Sequence, residues 1–168
     1  MYMTDRTIEA WHRLVHVCRK WRDVAFGSPR RLNLRLYCTH TTPVRKMLHI
    51  WPVLPIVLSV PRYKWRCADD LIAALEHNDR ICQMYFQKLP RLLFETISAA
   101  MEQPFPALTR LVLLAGNPVP VLPDSFLGGS APQLQRLCLS GIPFPGLPKL
   151  LLSATRLTDL SCTIPHSG

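Results

Sequence analysis

Two histidines four apart, six scattered cysteines and a periodic set of tyrosine, arginine and aspartate carry the chemistry available to this 168-residue chain. His12 and His16 would share one face of a helix, the spacing at which two imidazoles hold a metal ion. No third ligand stands at a matching interval, and Arg13 occupies the place where a zinc protease carries its glutamate. The cysteines at 18, 38, 67, 82, 138 and 162 form no C-x-x-C and no close pair, and no nucleophile signature surrounds any of them. The glycine patterns of phosphate-binding loops and of the hydrolase nucleophile elbow are missing, and Gly128, Gly129 and Ser130 read as a plain loop. The chain is therefore expected not to be an enzyme, with no catalytic residues, no metal and no cofactor.

Binding chemistry remains, and it is periodic. Leu108-x-x-Leu111-x-Leu113 leads into Gly116-x-Pro118-x-Pro120-x-Leu122-Pro123. Leu134-x-x-Leu137-x-Leu139 leads into Gly141-x-Pro143-x-Pro145-x-Leu147-Pro148. Copies of the first half flank the pair, Ile81-x-x-Met84-x-Phe86 before it and Leu157-x-x-Leu160-x-Cys162 after it. First positions at 81, 108, 134 and 157 give steps of 27, 26 and 23 residues, inside the range of leucine-rich repeats. In such an array each short strand pairs with its counterpart in the next repeat, and successive side chains alternate between core and open face.

That alternation sorts the residues. Ile81, Leu108, Leu134 and Leu157 form one inward ladder, Met84, Leu111, Leu137 and Leu160 a second, and Phe86, Leu113, Leu139 and Cys162 a third. Cys162 reads as a small buried hydrophobe. Outward, Gln83, Arg110, Arg136 and Asp159 form one row, and Tyr85, Val112, Cys138 and Ser161 form the next. Gln87, Leu114, Ser140 and Thr163 continue the face. These rows are the candidate partner-binding surface, with Tyr85, Arg110 and Arg136 foremost, because aromatic and arginine side chains dominate contact energies. Ordinary solvated strand residues are the plainer reading of any single position.

The elements between the rungs follow from local pattern. The apolar positions of Leu32, Leu34 and Leu36 and of Ile56, Leu58 and Val60 alternate like half-buried strands, and the 24-residue step from Leu34 to Leu58 makes them candidate early rungs. Helical segments are expected around Val44 to Trp51, over Ala68 to His77 with Asp69 and Asp70 at its positive end, and over Arg91 to Glu102. In the last, Leu92, Leu93, Ile97, Ala100 and Met101 should face inward. Helical turns fit Asp124 to Leu127 and Lys149 to Ser153, the second opened by Pro148. Trp11, Leu14, Val15, Cys18, Trp21 and Ala25 recur at helical intervals and predict an amphipathic helix over Trp11 to Ala25, closed by Gly27 and Pro29.

Charge divides the chain. The net charge is +9, yet residues 1–66 hold 13 of the 20 Lys/Arg against three acids, a balance of +10, and the remainder is close to neutral at −1. Arg30, Arg31, Arg35, Arg45, Lys46, Arg62, Lys64 and Arg66, with Trp51, Tyr63 and Trp65 among them, are compatible with nucleic acid. They belong to no recognised reader motif, so solvated surface is the expectation and nucleic acid the lesser alternative. The longest apolar tract, Met47 to Val60, contains two prolines and His49 and is too short for a membrane span. With no secretory leader and no cysteine pairing pattern, free thiols in the cytoplasm or nucleus are expected.

The segment Leu14-x-x-Val17-Cys18-Arg19-Lys20-Trp21-Arg22 resembles the closing helix of an F-box, L-x-x-V-C-K/R-x-W. Together with the proline-punctuated repeats, it makes the chain similar to the fungal F-box/leucine-rich-repeat proteins. The resemblance implies an F-box remnant helix over 1–28, cut down to the closing helix. A leucine-rich-repeat array over 29–168 would follow, irregular before 81 and regular from 81 to 163. The implied fold class is an α/β solenoid of parallel strands alternating with helices or helical turns. It implies further that Leu14, Val17, Cys18 and Trp21 contact the adaptor subunit of a cullin ubiquitin ligase, while the repeats hold a protein substrate of unknown identity. The chain would then be a non-catalytic receptor, or a shortened one, since the last copy is followed by no polar cap and would leave an open sheet edge. A repeat scaffold with no ligase link is the alternative.

Overall fold

A spacing of L-x-x-L-x-L puts three apolar side chains on one face of a strand only if the first interval contains an extra residue, because the side-chain period of a strand is two. The computed structural model shows how that residue is accommodated. It describes residues 15–27, 35–39, 44–50, 53–60, 68–115, 121–142 and 148–163. Ile56 pairs with Ile81 but Val57 pairs with Gln83, so Cys82 is a bulge residue, and its thiol donates to the Ile56 carbonyl at 3.3 Å. In the next repeat the Thr109 amide and hydroxyl both donate to the Cys82 carbonyl at 2.8 Å. The Thr109 carbonyl in turn accepts from the amides of Gln135 and Arg136, and the Gln135 carbonyl from those of Thr158 and Asp159. The irregularity is thus carried from one repeat to the next with its backbone groups satisfied.

The described elements run α1 (Arg19–Gly27), β1 (Leu36–Thr39), α2 (Val44–Ile50), β2 (Ile56–Val60), α3 (Ala68–Leu75) and β3 (Ile81–Gln87). They continue with α4 (Arg91–Ala100), β4 (Arg110–Leu114), a 3-10 turn (Phe126–Gly129), β5 (Arg136–Ser140), α5 (Pro148–Ser153) and β6 (Asp159–Thr163). The six strands form one sheet in the order β1-β2-β3-β4-β5-β6, every pair parallel. Strand order equals chain order, and each return is made by a helix or helical turn. The fold is α/β, with helices alternating with the strands of a parallel sheet.

Equivalent positions sit side by side. Leu58, Met84, Leu111, Leu137 and Leu160 are paired in sequence across β2 to β6, and so are Val60, Phe86, Leu113, Leu139 and Cys162. From β2 to β5 these side chains are buried and pack with Leu71, Ala74 and Leu75 of α3, Phe94 and Ile97 of α4, Phe126 and Leu127 of the 3-10 turn, and Leu150 of α5. Burying one such side chain stabilises by about 1.5–3 kcal/mol, and no repeat can bury its own ladder alone.

The turns before the strands are tied to one another. Arg80 donates from Nε and an outer guanidinium nitrogen to the Leu54 carbonyl at 3.2 and 3.1 Å, and Asn78 donates to the Pro104 carbonyl at 2.8 Å. Leu127 adopts a left-handed conformation, φ 56°, that a leucine rarely takes. It is held there because its side chain is fully buried and its amide donates to Met101 O at 2.7 Å. At Gly128, φ 59°, a Cβ would meet the Pro104 nitrogen at 2.6 Å, so only glycine fits.

Several expectations are corrected. The partner of Leu58 is Cys38, not Leu34, which lies outside the described residues with Leu32. The short α2 shortens this repeat to 20 residues, and a shift by four keeps the same face inward. In α4, Leu92 is 79% exposed, while Phe94 and Ser98 join Ile97 and Met101 in burial. The turn expected over Asp124 to Leu127 becomes the 3-10 turn two residues later. Leu160 is 48% exposed and Cys162 is exposed, because no described element packs beyond β6.

The helix expected over Trp11 to Ala25 is not continuous: Val15 to Val17 form a turn, and the described helix runs from Arg19. Arg22 Nε donates to the Val15 carbonyl at 3.1 Å, the acceptor that a continuous helix would give to Arg19. The valines flanking His16 are poor helix formers, which favours the break. Of the described residues of the expected stripe, Val15 and Ala25 are buried, and Cys18 and Trp21 are exposed. Trp11, Leu14 and Pro29 lie outside the described residues.

Candidate protein-interaction face

The outward positions of β3 to β6 come together as the spacing requires. Gln83, Arg110, Arg136 and Asp159 are directly paired across four strands, as are Tyr85, Val112, Cys138 and Ser161, and Gln87, Leu114, Ser140 and Thr163. Backbone bonds extend past the third row, with the amides of Lys88, Ala115 and Gly141 donating to the carbonyls of Leu114, Ser140 and Thr163. Such a ladder fixes the spacing between side chains to that of the strands, roughly 4.8 Å from one strand to the next.

The polar groups of the face are organised laterally. Arg110 donates to the Tyr85 hydroxyl at 3.1 Å, and that hydroxyl donates to Gln83 Oε1 at 2.9 Å. Arg136 Nε meets Asp159 Oδ2 at 2.6 Å. The first row therefore holds one closed ion pair and one cation whose described partner is a neutral hydroxyl. Val112 and Leu114 lie beside Arg110 as half-buried apolar surface.

The face reaches further than the four clear repeats. Tyr37 pairs with Val57, and Val57 with Gln83, while Thr39 and Ser59 continue the row of Tyr85. Val57 points outward yet is only 3% exposed. Partial burial pushes the Tyr37 hydroxyl above its ordinary pKa, opposed by Arg35, with Cys82 and Tyr85 adding small upward contributions. Cys82 is likewise pushed up by burial and opposed by Arg35. Arg35 is thus within electrostatic reach of both, and the left end of the face is a half-buried tyrosine cluster with a cation beside it. The sequence pattern missed Tyr37 and Thr39 as face residues because β1 was placed too early in the chain, whereas the alternation of Ile56, Leu58 and Val60 already left Ser59 outward. The one usable signal was the polar-apolar alternation of Leu36, Tyr37 and Cys38.

The described F-box positions stand on no strand of the sheet. Leu14 lies outside the described residues, Val17 and Cys18 precede α1, and Trp21 stands on α1, 53% exposed beside exposed Val24. His16 is exposed and His12 lies outside the described residues. Among the described residues no group of three His, Cys, Asp or Glu side chains could hold a metal ion, and no helix is long and apolar enough to cross a membrane. Of the basic residues in the first third, Arg45 and Lys46 are exposed on α2; Arg30, Arg31, Arg62, Lys64 and Arg66, with Trp51, Tyr63 and Trp65, lie outside the described residues. No family model, no curated protein and no solved structure matches the chain.

Proposed function

We propose that the chain is a non-catalytic protein-binding module of the leucine-rich-repeat kind, whose outward sheet face holds a partner protein. The observation that carries the reading is the unbroken pairing of Gln83, Arg110, Arg136 and Asp159 beside Tyr85, Val112, Cys138 and Ser161. A surface with arginine, tyrosine and aliphatic groups at fixed intervals has the composition of a contact surface.

Within that reading, the F-box resemblance makes the chain a substrate-recognition adaptor of a cullin ubiquitin ligase, or a shortened derivative of one. The exposure of Val17, Trp21 and Val24 supports a second contact surface at the N-terminal end. The alternative, a repeat scaffold with no ligase link, is favoured by the break before Arg19, which leaves Val17 and Cys18 outside the helix. Size-exclusion chromatography with the purified ligase adaptor decides between them. Co-elution lost in Trp21→Ala supports the F-box reading; separate elution at micromolar concentrations removes it and leaves the scaffold.

A further inference from the structure

We propose that the partner is an acidic, apolar segment of a protein, with a carboxylate seated on Arg110 and a neighbouring aliphatic or aromatic side chain on Val112 and Leu114. The proposal rests on the reading of the outward sheet as a protein-binding face. Its own basis is the charge pattern of that face. Among the described outward residues Asp159 is the one acid, and Arg136 already engages it at 2.6 Å. Arg110 gives one nitrogen to the Tyr85 hydroxyl at 3.1 Å, a neutral acceptor that leaves its charge uncompensated.

A guanidinium carries five donors in a planar fork, and a carboxylate accepts two of them in parallel. The Tyr85 contact fixes one edge of that fork and is itself anchored on Gln83, so Arg110 is oriented before a ligand arrives. Preorganisation of this kind reduces the ordering cost of binding. The strip from Val112 to Leu114 lies on the same strand as Arg110, and residues two apart on an extended chain point the same way. A partner segment with an acid and an apolar residue at that separation matches both features, whereas a polyphosphate backbone would find apolar surface where it needs donors.

The test is selection of random peptides of about a dozen residues displayed on phage against the immobilised full chain. Enriched peptides are then synthesised and titrated against the native chain, Arg110→Gln, Arg110→Lys, Val112→Glu and the helix-side control Arg91→Gln. The expected result is enrichment of Asp or Glu next to Leu, Ile or Phe, with affinity falling about tenfold or more in Arg110→Gln, less in Arg110→Lys, and unchanged in Arg91→Gln. Retention of the native unfolding transition by Arg110→Lys keeps the comparison valid if Arg110→Gln does not fold. Neutral or basic peptides that are lost in Val112→Glu but indifferent to Arg110→Gln would overturn the acidic assignment and leave the face intact. Peptides indifferent to both substitutions would overturn both. Tighter, Arg110-dependent binding of single-stranded DNA would overturn the proposal in favour of nucleic acid.

Discussion

Arg136 on β5 and Asp159 on β6 stand at paired positions of the sheet, and their charged groups meet at 2.6 Å across the last strand boundary. Both side chains are close to half exposed, so water and salt screen the attraction and the pair contributes at most about 1 kcal/mol. Asp159→Asn should therefore lower the free energy of unfolding by less than about 1 kcal/mol. Urea titration at low and moderate salt checks this. A larger loss would mean that β6 depends on the pair for its attachment.

The inner rungs should behave unequally along the sheet. Leu111 is fully buried between Met84 and Leu137, and Leu111→Ala should cost about 2–5 kcal/mol. Leu160 occupies the equivalent rung but is 48% exposed, so Leu160→Ala should cost about 1 kcal/mol or less. Urea midpoints of the two variants separate the cases, and equal losses would show that the last rung is covered.

Alkaline pH should weaken the fold through its buried acids. Burial pushes the Cys38 thiol from its usual 9.0 up to about 12, and Cys82 and Tyr37 are also raised by burial. A raised folded-state pKa means that the unfolded chain loses its proton first. Below pH 9 the thiol is neutral in both states; between pH 9 and 12 the unfolded state binds fewer protons, so stability falls as pH rises. Urea midpoints should decline across that window, and less steeply in Cys38→Ala. An identical slope in the variant would exclude Cys38 as a source.

Much of the sheet was legible because the buried ladders of β3 to β5 repeat one residue type at one spacing. The spacing alone pairs Leu111 with Leu137, and with them Arg110 with Arg136. The left end was harder. Cys38 is a weak match to a leucine rung, so the alternation around Leu34 drew the register four residues away. Which face of α4 is buried depends on the sheet beneath it, and a run of three apolar residues, Leu92, Leu93 and Phe94, with Ile97 beyond, does not say which points inward. Exposure of Leu160 and Cys162 follows from what lies beyond β6, which periodicity cannot report. The start of α1 is marked by a side-chain-to-backbone bond, Arg22 Nε to the Val15 carbonyl, which apolar spacing does not report.

The account stands on one surface being the point of contact. Hydroxyl-radical footprinting of the full chain, alone and with the tightest selected peptide, reads that surface residue by residue. Protection of Tyr85, Val112 and Cys138, with Leu92 and Leu152 on the helical side unchanged, is the predicted result. Protection of Leu92 and Leu152 with the strand residues unchanged would contradict it.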